Sequence, residues 1–292
     1  MHKSGFVNII GNPNVGKSTL MNVLVGERIS IVTSKAQTTR HRILGIINQE
    51  DYQVIYSDTP GILHPHYKMH EAMMDFVQSA FDDADVLLYV TDVIETVEKN
   101  LEFIDKINLS TTPVLLIINK LDLCTPVLLD ALVDKWKILM PRADIVPVSA
   151  LLKFNTDQVF KRILDLIPEG PPYYDKDALT DRPERFFVSE IIREKILLNY
   201  KKEIPYSVEV MVEEFKEEAE LIRIKSVIIV TRETQKGIII GKGGEALKKT
   251  ASRARIDIEK FFGKKIFLEV FVKVEKDWRD SDRLLKNFGY HL

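Results

Sequence analysis

The chain has 292 residues, enough for about two domains. Its net charge is −2 and 45% of its residues are apolar, so a sizeable core is expected and any basic surface for a polyanion must be local. A single cysteine, Cys124, excludes an intrachain disulfide, and no apolar run reaches the roughly 18 residues of a membrane helix.

Residues 6–167 alternate buried-strand runs with helical patterns. Strands are expected at 6–10, 43–48, 52–56, 85–90, 114–118 and 145–148, several of them almost continuously apolar. Stretches long enough for crossover helices, such as 67–80, 98–108 and 126–139, lie between most of them. This is the grammar of a doubly wound α/β domain with a mostly parallel sheet, which binds ligands at the carboxyl ends of its strands. P-E-G-P-P-Y-Y (168–174) breaks the pattern and reads as a short, stiff linker. Beyond it come a helix (184–199), an alternating strand (207–215), a second strand (221–231), a glycine-rich turn, a long helix (244–262) and a last strand (266–272). That order predicts a separate small α+β domain. The expected division is 1–170 for the first domain, 171–182 for the linker and 183–292 for the second.

G-N-P-N-V-G-K-S (11–18) follows a strand and opens a helix, the context a phosphate-binding loop requires. Gly11 and Gly16 let the backbone curl so that its N–H groups face phosphate oxygens, and the helix start adds partial positive charge. Contacts are expected from Gly11, Asn14, Val15, Gly16, Lys17, Ser18 and Thr19. Lys17 should bridge the β- and γ-phosphates, and the Ser18 hydroxyl should bind Mg²⁺. D-T-P-G (58–61) follows the third strand. Asp58 is expected to hold Mg²⁺ through water and the Gly61 N–H to meet the γ-phosphate. T-T-R (38–40) sits where a threonine should close over the metal; the residues alone leave Thr38 and Thr39 open. N-K-L-D (119–122) identifies the base. Asp122 can accept from guanine N1–H and the 2-amino group, whereas adenine would leave the desolvated carboxylate unpaired. Asn119 can bridge loops and Lys120 can cover the ring with its stem. In S-A-L (149–151), Ala150 N–H can reach guanine O6, with Ser149 and Leu151 beside it.

I-I-I-G-K-G-G-E-A-L (238–247) holds G-x-x-G at 241–244 before a helix, the shape with which a KH domain clamps a single-stranded backbone. Lys236, Lys242, Lys248, Lys249, Arg253, Arg255, Lys260, Lys264 and Lys265 outweigh Glu245, Asp257 and Glu259, a local excess of about +6. RNA contacts are expected from Gly241, Lys242, Gly243, Gly244, Lys248, Lys249 and Arg253. Trp278, Phe288 and Tyr290 read first as packing of a short last helix. His64, His66 and His70 read as a solvated loop rather than a metal site, and Cys124 as inert packing. The acidic run 213–220 reads as a solvated hairpin tip.

The ordered set G-x-P-N-V-G-K-S, Q-T-T-R, D-T-P-G, N-K-L-D, S-A-L resembles the translation-factor-like branch of bacterial GTPases. With the second domain, the chain resembles the Era family of ribosome-assembly GTPases over essentially its whole length. The resemblance implies that Thr39 is the magnesium ligand and that Lys17, Thr39 and Gly61 serve catalysis. It implies a type II KH domain and, as partners, GTP and GDP, the 3′ end of 16S rRNA and the 30S subunit, with no DNA. It implies a cytoplasmic monomer and, by resemblance alone, peripheral contact with the inner face of the cell membrane. In related GTPases with P-N-x-G-K-S, the residue at Asn14 helps bind potassium; the other reading is that Asn14 only shapes the loop. Ile62 stands where many relatives place a water-aligning Gln, so slow intrinsic hydrolysis is expected. The competing readings are an RNA-binding module with a non-hydrolysing nucleotide site, an RNA-modification GTPase and a P-loop kinase.

Overall fold

The computed structural model describes residues 1–290. Its contacts divide into two compact units. The first holds Met1–Ser30, Thr39–His64 and Met73–Asp181; the second holds Ile31–Thr38, Pro65–Ala72 and the chain from Arg182 onward.

In chain order the first part runs β1 (Lys3–Gly11), α1 (Lys17–Val25), β2 (Ile43–Asn48), β3 (Tyr52–Asp58), α2 (Lys68–Asp82), β4 (Val86–Asp92), α3 (Leu101–Leu109), β5 (Val114–Asn119), α4 (Pro126–Leu139), β6 (Asp144–Pro147) and α5 (Thr156–Leu166). The sheet order is β2-β3-β1-β4-β5-β6. All neighbours are parallel except β2 and β3. Only three residues separate β2 from β3, too few for a crossover, so that pair must be a hairpin. Every residue of β4 is buried, as the continuous apolar run predicts for a strand covered on both faces. β1 lies between β3 and β4, so the chain leaves it in opposite directions. That reversal opens the crevice at the carboxyl end of β1 in which such folds bind ligands. Helix α5 was not anticipated; Asn155, at φ 63°, turns the chain into it.

Residues 171–181, expected within a linker, lie along β2 and β3. The Ile46 N–H donates to the Leu179 carbonyl at 2.8 Å and Gln53 Nε2 to the Tyr174 carbonyl at 2.8 Å. Tyr174 and Ala178 pack with Leu44, Ile46 and Ile55. β2 is an edge strand with unpaired backbone groups, and this segment covers them.

The second unit continues with α6 (Glu184–Asn199), β7 (Val208–Glu217), β8 (Leu221–Val230), α7 (Glu233–Ile240), α8 (Glu245–Phe262), β9 (Lys265–Val274) and α9 (Asp282–Asn287). β7 and β8 are antiparallel, β8 and β9 parallel. Val188, Ile192 and Ile196 place one stripe of α6 on the core with Ala254 and Ile258 of α8 and the inner residues of the sheet. Helix α7 replaces part of the expected glycine-rich turn. Its I-I-I run fits strand or helix equally by periodicity. Gln235 Oε1 accepts from the Arg232 N–H at 3.1 Å to start it, and Gly241 ends it. The acidic run lies mostly in β7 rather than at a tip, and Glu213 and Glu217 pair with Lys225 and Lys264. Trp278 is fully buried and donates to the Ser207 carbonyl at 3.3 Å; Tyr290 is buried and donates to Glu209 Oε2 at 2.9 Å. Phe288 meets the Trp278 ring edge-on at 5.7 Å. All three therefore pack. Trp278→Ala should destabilise the second unit by about 3–5 kcal/mol, measured by urea unfolding, because it empties a closed site.

Candidate nucleotide site and nucleic-acid interface

The loop between β1 and α1 needs its glycines for different reasons. Gly11 has φ 154°, and a Cβ there would lie 2.1 Å from the Val90 carbonyl oxygen. Gly16 has φ 97°, and a Cβ there would lie 2.2 Å from Asn119 Nδ2. Asn14 also turns through positive φ, at 66°, and is exposed. Lys17 is buried and donates to the carbonyls of Gly11 (2.9 Å) and Asn12 (2.8 Å). Burial lowers its pKa to about 8, against the opposing pull of Asp58 and Glu95.

Three hard oxygen donors converge beside it. Ser18 Oγ donates to Asp58 Oδ2 at 2.6 Å and lies 2.9 Å from Thr39 Oγ1, which in turn reaches Asp58 Oδ2 at 3.3 Å. The parallel register that sets Asp58 beside Ile9 brings the carboxylate to this point. Thr38 faces elsewhere: its hydroxyl meets Thr33 Oγ1 at 2.6 Å and the Lys35 carbonyl at 2.7 Å. Asp58 is 0% exposed, and its Oδ1 has no hydrogen-bond partner among the described residues. Burial raises its pKa, and the Ser18 hydrogen bond and the Lys17 charge oppose that shift. One buried carboxylate with an unpartnered oxygen between two hydroxyls has the donor chemistry of a magnesium site.

Gly61 lies against Pro13, whose backbone N would be 2.6 Å from an added Cβ. The next N–H, of Ile62, donates to the Gly11 carbonyl at 3.2 Å, and the Ile62 side chain packs on the core that holds Ile10 and Leu87. Ile62 thus anchors the loop and offers no polar atom to a water.

The residues expected to meet the base come from the ends of β5 and β6. Asn119 is buried; its Nδ2 donates to the Val15 carbonyl at 2.8 Å and its Oδ1 accepts from the Ala150 N–H at 2.9 Å. It ties the phosphate loop to the S-A-L loop. Asp122 is exposed and accepts from Ser149 Oγ at 2.5 Å. Lys120, at φ 61°, donates to the Asn14 carbonyl at 2.7 Å and pairs with Asp92 at 2.5 Å. Asp92 was not anticipated; its position at the carboxyl end of β4 was the only sequence signal. Leu151 is exposed and Thr19 is partly so. His70, expected in a solvated loop, is buried in α2 and stacks on Tyr67 at 3.8 Å. It lies one turn into an amphipathic helix. No cluster of three His, Cys, Asp or Glu suited to a metal occurs among the described residues.

In the second unit, Gly241, Gly243 and Gly244 all have positive φ, and a Cβ on Gly241 would strike Ala246 Cβ at 2.6 Å. The G-x-x-G turn leads directly into the N-terminus of α8. Its cations divide. Arg255 pairs with Glu259 at 2.7 Å and Lys264 with Glu217 at 2.5 Å, while Arg253 donates to Asn199 Oδ1 at 2.5 Å. Lys242, Lys248 and Lys249 make no ion pair among the described residues, so the uncompensated charge concentrates at the glycine turn.

The comparisons agree with this geometry. Residues 6–120 match the family model described as 50S ribosome-binding GTPase, and residues 203–279 match the KH domain. GTPase Era of Syntrophus aciditrophicus is 47% identical over 100% of this chain and 96% of its own length. GTPase Era of Staphylococcus haemolyticus is 44% identical over 99% and 97%. A crystal structure of Era with MgGDPNP and nucleotides 1506–1542 of 16S ribosomal RNA superimposes with TM-score 0.96 at 39% identity, covering 100% of both chains. A variant of Aquifex aeolicus Era bound to GDP and aluminium fluoride gives TM-score 0.95 at 39% identity over 99% of this chain and 100% of that one.

The state of Lys17 sets a pH dependence. Phosphate oxygens favour the ammonium, so binding raises a pKa that is about 8 in the free protein. The advantage is complete below that value and fades above it, by up to about ten-fold in affinity per pH unit. Calorimetric titration with a non-hydrolysable GTP analogue from pH 6.5 to 9 should show constant affinity up to about pH 8 and a decline beyond; a flat profile to pH 9 contradicts it. A phosphate loop, a guanine pocket and a G-x-x-G domain, in the order and over the full length seen in these relatives, place the chain in the Era family of GTPases.

Proposed function

We propose that this GTPase is a switch: GTP bound and hydrolysed in the first unit governs how the KH domain engages the 3′ end of 16S rRNA during 30S subunit assembly. The observation that carries the GTP half is the buried Ser18–Thr39–Asp58 cluster with its unpartnered carboxylate oxygen, beside the buried Lys17. Magnesium, when bound, neutralises charge on the β- and γ-phosphates. Ser18, Thr39 and Asp58 would hold it. Lys17 binds the phosphates, the loop amides from Asn14 to Ser18 orient them, Asp122 selects guanine, and Asn119 with Ala150, bonded to each other, spaces the base loop from the phosphate loop. The Gly61 N–H is the contact to the γ-phosphate. The RNA half rests on Gly241–Gly244 and the uncompensated Lys242, Lys248 and Lys249, with Arg253 next along α8.

The domain division of this reading is 1–170, 171–182 and 183–292, with the segment at 171–181 serving also as the cover of β2. A monomer, a cytoplasmic location and peripheral membrane contact belong to it through the family likeness. No helix among the described residues is long and apolar enough to cross a membrane. A non-hydrolysing nucleotide site is disfavoured because Lys17, Ser18 and Asp58 are all in place. The KH domain disfavours an RNA-modification GTPase.

Because Ile62 supplies no polar group, another element must align the attacking water or add charge. A potassium ion held with the help of Asn14, which is exposed in the phosphate loop, would supply that charge.

The test is phosphate release under single turnover, with and without an oligonucleotide of the rRNA 3′ end. GTP should be hydrolysed slowly alone and faster with the RNA; no release in either condition overturns the enzymatic reading. Potassium should support a higher rate than sodium in the wild type, with the difference lost in Asn14→Ala. Equal rates in the two salts remove the ion from the mechanism.

A further inference from the structure

The compact second unit includes Ile31–Thr38, the segment that ends one residue before Thr39. Its seat there is a buried charge. Arg193 of α6 is 0% exposed and Glu190, one turn earlier, is 5% exposed. The two form a bidentate pair, Nε to Oε1 at 2.7 Å and Nη2 to Oε2 at 2.6 Å. Such a pair is costly to bury unless its remaining donors are satisfied. Two of the three remaining donors reach backbone oxygens: Arg193 Nη2 donates to the Thr38 carbonyl and Nη1 reaches the Gln37 carbonyl at 3.4 Å. Lys35 adds bonds to the carbonyls of Leu197 and Tyr200 at the end of α6. Within the segment, Thr33 and Thr38 share a hydroxyl bond and the Lys35 N–H donates to Thr33 Oγ1 at 3.1 Å. The segment is therefore a folded loop held on α6.

The Thr38 carbonyl belongs to the same planar peptide as the Thr39 N–H. Holding that oxygen fixes the plane from which Thr39 departs, and Thr39 Oγ1 lies 2.9 Å from Ser18 Oγ and 3.3 Å from Asp58 Oδ2. We propose that Arg193, locked by Glu190, is a positioning residue for the magnesium threonine: through the Thr38 carbonyl it sets where Thr39 presents its hydroxyl. The inference rests on the reading of Thr39 as a metal ligand. The segment Ile31–Thr38 and α6 belong to the same compact unit, so this hold is internal to it. The corresponding hold on Pro65–Ala72 is of a different kind. Lys68 Nζ meets Asp282 at 2.8 Å, but both side chains are exposed, so the pair is screened by solvent and holds little.

The test uses the full chain. Arg193→Met with Glu190→Gln removes both partners of the bidentate pair together, and the buried Glu209, whose charge also acts on Arg193, keeps its bond from Tyr290. Arg193→Lys keeps the charge without the fork. In the double variant, the magnesium concentration that half-supports binding of a GTP analogue should rise about five-fold or more, with Arg193→Lys between it and the wild type. GDP affinity should stay within about two-fold, since the diphosphate does not depend on closure of this threonine. In nucleotide-free protein, amide hydrogen exchange at 33–40 should accelerate in the double variant and not in Lys68→Ala. Unchanged magnesium dependence with unchanged exchange overturns the proposal. So does an equal loss of GDP and GTP-analogue affinity, or an equal effect of Lys68→Ala, either of which marks general loosening. If the wild type fails to bind the GTP analogue at any magnesium concentration, the functional reading fails, and the exchange measurement alone still decides the hold of Arg193 on the segment.

Discussion

The nucleotide site is organised around a carboxylate that burial penalises. Asp58 sits at the end of β3 with no exposure and one oxygen without a partner among the described residues. Burying such a group costs several kcal/mol unless charge and hydrogen bonds answer it. Here Ser18, Thr39 and the nearby Lys17 answer part of the cost. The same burial weakens the hold of Lys17 on its proton, so both ionisable groups of the site are poised to be completed by magnesium and phosphate. The surrounding elements serve this point. The register of β1 with β3 delivers Asp58, the turn at Gly11 and Gly16 delivers Lys17 and Ser18, and the segment before Thr39 delivers the second hydroxyl.

The guanine side shows a division of labour that the motif conceals. Asn119 spends both ends of its amide on the protein, bridging Val15 and Ala150, and stands where a Cβ on Gly16 would strike. Its buried contribution is spacing. Asp122 is exposed and accepts from Ser149 Oγ, with no other hydrogen bond to it among the described residues. Loss of Asn119 would therefore loosen the link between the phosphate loop and the S-A-L loop, a link in which Asp122 takes no part.

Ile62 takes a similar place. It packs on the core while its N–H ties the loop to Gly11. An apolar residue gains there what a glutamine would lose by desolvation. The consequence is a loop anchored firmly and a water left to other groups. In the second unit, likewise, the basic stretch is not uniform. Cations toward the end of α8 are answered by Glu259 and Glu217, and those at the glycine turn are not. The field thus points at the G-x-x-G turn.

Features governed by neighbouring residues were legible in the sequence. The phosphate loop, the strand–helix alternation, N-K-L-D and G-x-x-G depend on backbone freedom at particular glycines and on hydrophobic period, both of which are local. So the fold class could be named from the chain alone, and the residues proposed to meet the nucleotide were picked out by the same local patterns. What depended on distant partners could not. Thr38 and Thr39 are equivalent as letters; only the folded loop turns one hydroxyl to Asp58 and the other to Lys35. The I-I-I of α7 fits either period until Gln235 caps it, and 171–181 reads as linker until β2 offers an open edge. Arg193 carries no motif, because its role exists only where a buried guanidinium meets the carbonyls of Gln37 and Thr38. Sequence determines which groups exist and how the chain bends locally; long-range packing decides which of them lose water, and in this protein that loss sets the chemistry of Asp58, Lys17 and Arg193.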